Sequence, residues 1–377
     1  MTRPLLVALA LLALAACGSG VPLTAEESAL RFRVVAYVHG GDPEALAQMG
    51  AEKLTHVLYA FANVTSEGEV VLEDPADAAR LAALVGLRAR NPALRVLLSV
   101  GGWSWSDHFS DVALTAASRA RFAQSAVAAV EAHGLDGIDL DWEYPGQRGE
   151  DNTFRPEDRE TFTLLLRSLR AALDEAADGG ARRPQLLTIA AGANQAYLDH
   201  TDMAAAQRPL DFVNLMTYDF HGGWSARTGH HANLRPSPAT PGAASTTDAV
   251  ERFVAAGVPP EKLVIGAAFY GVGWTGVEPE ADGLGQPYTG EKVSYGYADL
   301  VDRFVNRNGY RRIWDAIAEA PTLWNAEART LLSYEDEASV AAKAQYVTER
   351  GLGGLMYWQH GHDPAERLLG AAAAVLR

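Results

Sequence analysis

Short apolar runs alternate with amphipathic stretches along most of the chain, and the two patterns have different periods. Residues 33–38, 54–61 and 94–100 are compact apolar runs bounded by polar or turn residues, so each predicts a buried strand. Similar runs recur at 186–191, 212–218, 263–270 and 354–358. Between them lie segments with apolar residues at helical spacing, over 43–50, 74–91, 115–133 and 156–177, with another helix from near Glu335. In the second of these, Asp74 and Pro75 supply an N-cap and a first-turn proline. Counting the strand at 134–145, eight strand–helix units follow one another. That rhythm predicts an α/β fold closed into a (β/α)8 TIM barrel.

One stretch breaks the rhythm. More than sixty residues separate the seventh strand from the helix near Glu335, and they hold Trp274, Tyr288, Tyr295, Tyr297, Trp314 and Trp324. A connection that long is structured or functional. Its aromatics suit either a small core of its own or the wall of a groove.

The fourth strand carries the chemistry. Asp139, Asp141 and Glu143 alternate with Ile138, Leu140 and Trp142, and Gly134 and Pro145 bracket the segment. Alternate side chains of a strand share a face, so the three carboxylates lie together and the apolar residues cover the other side. Like charges on one face repel, and Asp is depleted in strands, so solubility alone does not account for the pattern. At about 3.3 Å per residue, Asp139 and Glu143 are roughly 13 Å apart, and Asp141 can lean toward either. Carboxylates this crowded do not all ionise near neutral pH, and a carboxyl that keeps its proton is what general-acid catalysis needs. A calcium loop is the other use of such spacing, but the glycine and distal glutamate of an EF-hand are missing. Asp136 has the opposite parity and is assigned a structural or supporting role.

The run Asp136-Gly-Ile-Asp-Leu-Asp-Trp-Glu143 resembles the active-site signature of glycoside hydrolase family 18, the chitinases and related endo-N-acetylglucosaminidases. The likeness extends from about residue 33 to 363. It takes in Leu98-Ser-Val-Gly-Gly-Trp103, Met216-Thr-Tyr-Asp-Phe-His-Gly222, Phe269-Tyr-Gly271 and the run from Gly351 to Trp358. The resemblance implies a retaining hydrolase of β-1,4-linked N-acetylglucosamine, in which the substrate's acetamido oxygen is the nucleophile. Glu143 is then the acid, Asp141 orients the acetamido group, Asp139 shares Asp141's proton in the resting state, and Tyr218 donates to the acetamido oxygen. Tyr37 and Ser99 form a polar floor beneath Asp139, and Asp219 holds the same sugar. Trp358 underlies the reacting ring, since sugars stack on wide aromatic faces. Phe61, Gly102, Tyr144 and Met216 complete the expected substrate-binding set. Trp103 and Trp224 follow paired glycines and are assigned to outer subsites, whereas Trp142 points toward the helices and into the core. Members with deep clefts carry a small α+β insertion between strand 7 and helix 7, placed here at about 272–334. Two departures, Val272 and Gln359, stand where many members have arginine and glutamate, and both are expected near the cleft.

The resemblance implies no metal and no cofactor, and a monomer whose partner is chitin or its oligosaccharides. Rival readings are an endo-β-N-acetylglucosaminidase acting on N-glycans or peptidoglycan, and a chitin-binding lectin. The presence of Glu143 argues against the lectin.

Composition adds the setting. Residues 1–16 are an apolar run after Met-Thr-Arg with no acid, too short to span a bilayer, and read as a signal peptide. Leu14-Ala-Ala-Cys17 resembles a bacterial lipoprotein box, so Cys17, the one cysteine, is the expected lipidation site. Residues 17–30 form a tether, and 31–377 suit one large barrel better than two ordinary domains. The expected location is the cell envelope, anchored outside the cytoplasm, or the medium. A formal net charge of −15 argues against nucleic acid and anionic surfaces and is compatible with a neutral polysaccharide.

Overall fold

The computed structural model describes residues 32–178 and 183–377. The expected signal peptide, Cys17 and the tether lie outside the described residues.

Eight parallel strands form the centre: β1 (Arg33–His39), β2 (His56–Val64), β3 (Arg95–Gly101), β4 (Gly137–Asp141), β5 (Leu186–Gly192), β6 (Phe212–Met216), β7 (Leu263–Ala268) and β8 (Gly354–Trp358). Each pairs with the next, and β8 returns to β1, closing a (β/α)8 TIM barrel. Strands buried on both faces read as continuous apolar runs, which is why most of them lack alternation. One parity faces the helices, as with Val57, Leu98, Ile138, Leu140 and Ile265. The other fills the barrel, with Val35, Leu58, Leu97, Phe212, Val264 and Met356. In β4 that inward parity falls on Asp139 and Asp141, both buried.

Local signals set the helix ends. Thr115 and Ser118 form a capping box at the start of the helix Ala116–His133. Gly134 ends it at φ 63°, a left-handed conformation that glycine adopts without a Cβ clash, and the chain turns straight into β4. The helix expected from Asp74 begins instead at Asp77. The Asp74 carboxylate accepts from the Ala76 N–H at 2.8 Å, making a turn one step before the helix.

Residues 270–333 build a second sheet. Its five antiparallel strands lie in the order Lys292–Gly296, Tyr270–Trp274, Thr330–Ser333, Ala320–Asn325, Arg311–Asp315, with a helix at Tyr297–Arg303. Val272, Trp274, Val277, Trp324 and Leu331 form its own core. This corrects the expectation for Val272, which is 1% exposed inside that core and does not face the cleft. In an antiparallel sheet with one packed face, parity decides the direction of a side chain, and position 272 falls on the packed face.

Candidate active site

Asp139 sits at the centre of a hydrogen-bonded ring inside the barrel. Its Oδ2 accepts from Tyr37 Oη at 2.8 Å and Ser99 Oγ at 2.7 Å. Its Oδ1 accepts from Thr188 Oγ1 at 2.6 Å and Asn214 Nδ2 at 3.3 Å. Strand register explains two of the four, because Ser99 and Thr188 lie directly beside Asp139 on β3 and β5. Burial pushes the Asp139 carboxyl up, and the four hydrogen bonds oppose that shift. Thr188 and Asn214 escaped the sequence reading, since neither carries a motif and each matters only through its register.

Asp141 differs. It is buried, and its Oδ1 has no hydrogen-bond partner. Burial, followed by the charges of Glu143 and Asp139, holds its pKa well above the usual carboxylate range. No hydrogen bond joins it to Asp139 in this geometry. The four donors already occupy both oxygens of Asp139.

Glu143 lies two residues past the end of β4. Its backbone N–H donates to Ser106 Oγ at 2.9 Å, and Ser106 donates in turn to Gly102 O at 2.9 Å. Gly102 N–H reaches Asp141 O at 2.7 Å, so the loop after β3 clamps the end of β4. A Cβ on Gly101 would stand 2.3 Å from Asp141 O, and one on Gly102 would stand 2.6 Å from the Phe61 ring. Burial pushes the Glu143 pKa up to about 7, with the Tyr144 hydroxyl opposing and the charge of Asp219 adding. A carboxyl of that kind is half protonated near neutrality and can both give and take a proton.

The remaining candidates surround these acids. Tyr218, just past β6, is half-buried, with its hydroxyl 3.9 Å from Met356 Sδ. Burial, followed by the charges of Asp141 and Asp219, drives its pKa well up, so it stays a donor. Asp219 is exposed at φ 55°, with Oδ1 3.8 Å from His231 Nδ1. Trp358 is half-buried between Tyr37 at 5.8 Å and Phe61, on which it stacks at 5.5 Å. Met216 packs with the same barrel-filling group. Tyr144 meets Trp103 edge-on at 6.5 Å. The peptide bonds Ala60–Phe61, Glu143–Tyr144 and Trp358–Gln359 are cis.

Trp103 is 49% exposed and Trp224 66%. The second sheet braces the loop bearing Trp224: Trp274 Nε1 donates to Gly222 O at 3.2 Å, and Tyr288 Oη donates to Ser225 O at 2.9 Å. Trp142, by contrast, is buried between Phe109 and Phe162 in the outer core. Asp136 is a structural anchor, pairing with Arg88 and Arg95 and accepting from Val96 N–H. Gln359 turns back on its own chain, accepting from Gly361 N–H at 2.7 Å.

This arrangement of acids at one strand end agrees with the comparison to known families. The family model described as Glycosyl hydrolases family 18 matches residues 33–363. The chain belongs to family 18. Chitinase A1 of Niallia circulans is 37% identical over 409 aligned positions, covering 91% of this chain and 58% of that protein. This family 18 chain therefore spans little more than half the length of that relative. Among solved structures, a family 18 N-acetylglucosaminidase from Paenibacillus barengoltzii is 42% identical with a TM-score of 0.83. That match covers 91% of this chain and 99% of the other. A family 18 chitinase from Cycas revoluta, solved in complex with (GlcNAc)4, has a TM-score of 0.81 at 28% identity, covering 92% and 100%.

Proposed function

We propose that this family 18 protein is a retaining glycoside hydrolase that cleaves β-1,4 bonds between N-acetylglucosamine units of chitin or its oligosaccharides. The observation that carries the reading is the contrast among the three acids. Asp139 is taken up by four protein donors, Asp141 is buried with an unpartnered oxygen, and Glu143 is poised near neutrality. Asp139 is held by its four donors, and the attacking atom is, as the resemblance to family 18 implies, the substrate's acetamido oxygen. Asp141 receives the acetamido N–H and Tyr218 donates to its oxygen, which aligns that oxygen with the anomeric carbon. As the C–O bond breaks, Glu143 passes its proton to the leaving oxygen. Asp141 stabilises the positive charge that develops on the resulting oxazolinium. Water then opens that ring with Glu143 as base, and two inversions leave the β configuration. Trp358 lies under the reacting ring, while Trp103 and Trp224 bind flanking sugars.

Relatives named chitinase support the substrate class. A second reading, release of single N-acetylglucosamine units, is favoured by the near-complete match to a protein named as an N-acetylglucosaminidase. Product lengths from chitin oligomers separate the two, and a high-mannose glycoprotein tests the N-glycan alternative. The decisive experiment uses partly acetylated chitosan. Every new reducing end should be N-acetylated and form first as the β-anomer. Glucosamine at new reducing ends, or an α-anomer formed first, would refute the mechanism. For location, Cys17 is the proposed lipid anchor, and a mature N-terminus without lipid mass would exclude it.

A further inference from the structure

Among the described residues one fully buried ion pair stands outside the chemistry above. Lys343 Nζ lies 2.6 Å from Glu335 Oε1, and both side chains are 1% exposed. A buried pair of this kind contributes little net stability, because desolvation offsets its attraction, and well-packed apolar side chains commonly do as well. Apart from Ser339 Oγ, which donates to Glu335 Oε2 at 3.2 Å, its remaining hydrogen bonds show what it holds. Lys343 Nζ donates to Gly266 O at 3.0 Å, and Glu335 Oε1 accepts from Ala268 N–H at 2.9 Å. Both targets are backbone groups at the cleft end of β7.

That is where β6 and β7 part. Their ladder stops at Leu215–Ile265, and the Thr217 N–H turns back to Leu215 O at 2.7 Å, so Gly266 O has no backbone donor from β6. A buried peptide group needs substitutes. The Thr217 hydroxyl supplies one, donating to Gly266 O at 2.8 Å while it accepts from Gly266 N–H at 2.8 Å. Lys343 adds the second donor to that carbonyl. Tyr218 lies against this stretch of β7. A Cβ on Gly266 would stand 2.7 Å from Tyr218 Cε1 and 2.9 Å from Met356 Cε, so the bare Gly266 backbone is the wall against which the tyrosine ring rests.

We infer that the Glu335–Lys343 pair is a positioning device: by pinning the β7 backbone at Gly266 and Ala268 it sets where the Tyr218 hydroxyl stands. Its importance for turnover rests on the role given above to Tyr218; its effect on geometry does not. Glu335 and Lys343 touch neither Glu143 nor Asp141, and they act on the reaction through the Tyr218 ring. A misplacement of about 1 Å at a group that orients the reacting atoms can cost up to roughly a hundred-fold in rate.

The test compares four enzymes: the wild type, Tyr218→Phe, the paired variant Glu335→Gln with Lys343→Met, and the combination. The paired variant leaves no uncompensated charge, and its Gln can still accept from Ala268 N–H. Its thermal midpoint should stay within a few degrees of the wild type. In its crystal structure the Tyr218 hydroxyl should be displaced. Its kcat/KM on a chitin oligomer should fall at least about ten-fold in the wild-type background, with almost no further fall when Tyr218 is already Phe, because coupled groups do not add. An unmoved Tyr218, or an equal loss in both backgrounds, would overturn the inference. A displaced Tyr218 with unchanged turnover would leave the positioning intact and count against the acetamido role instead. If the paired variant does not fold, Glu335→Asp serves, since it keeps the charge but withdraws the carboxylate by about one bond length, roughly 1.5 Å. The same displacement and the same non-additivity are expected of it.

Discussion

The Tyr37 hydroxyl donates to Asp139 Oδ2 at 2.8 Å across 102 residues of sequence, joining β1 to β4 inside the barrel. Tyr37→Phe keeps the ring and removes one of four donors to a fully buried carboxyl. The expected loss is about 1–2 kcal/mol of stability at pH 7, the usual scale for a buried acceptor left short of a partner. Urea unfolding measures it; a change below about 0.5 kcal/mol would mean that Ser99, Thr188 and Asn214 suffice.

Glu143 couples activity to stability with opposite signs. Its pKa is raised on folding to about 7. Between the ordinary glutamate value of about 4.3 and 7 the native state holds more proton than the unfolded chain, so stability falls as pH rises through that window. Glu143→Gln should therefore lose at least about 10²-fold in turnover. It should gain about 2–3 kcal/mol of stability above pH 7 and almost nothing below pH 4. Unfolding curves at both pH values decide the matter, and a variant equally stable to the wild type at pH 8 would refute the raised pKa.

Asp219 adds negative charge beside Glu143 and raises its pKa. Asp219→Asn should move the alkaline limb of the kcat/KM profile to lower pH, where Glu143 now loses its proton. Asp219 is 46% exposed, so solvent screens the effect and the shift should be about half a pH unit, smaller still in high salt. A shift toward higher pH would contradict the assignment.

Gly101 has φ 106°, and a Cβ there meets Asp141 O at 2.3 Å and the Phe109 ring at 2.5 Å. The carbonyl belongs to the backbone that carries Glu143 and cannot yield cheaply. Gly101→Ala should cost about 3 kcal/mol or more and depress turnover with it. Thermal unfolding with parallel assays checks both. A variant of native stability would show that the loop after β3 is more compliant than its contacts suggest.

Trp103 and Trp224 have solvent on much of their surface, and truncating either should leave the melting temperature unchanged. If they bind flanking sugars, Trp103→Ala and Trp224→Ala should raise KM for long oligomers roughly five-fold and leave the shortest cleaved substrate unaffected. An equal rise for all lengths would place them elsewhere in the cycle.

The order of strands and helices, and the inward parity that Asp139 and Asp141 share, were legible in the chain because both depend on local period, whereas Glu143 stands two residues past the strand. Apolar runs and helical spacing are properties of adjacent residues, and alternate strand side chains share a face wherever the strand goes. The parity of Trp142 and Asp136 was readable for the same reason. Direction within the second sheet was not: Val272 lies in a Gly-rich strand whose packed face depends on which neighbours it pairs with. Nor were the partners of Asp139, since Thr188 and Asn214 are unremarkable in sequence and reach it only because β5 and β6 fall into register around a closed barrel. The separate fates of the three carboxyls followed from the same closure. Spacing makes them equal members of a row; burial, donor supply and the nearby charge of Asp219 make one locked, one unpartnered and one poised near neutrality. Those are properties of a three-dimensional environment, assembled from residues far apart in the chain, and only the fold brings them together.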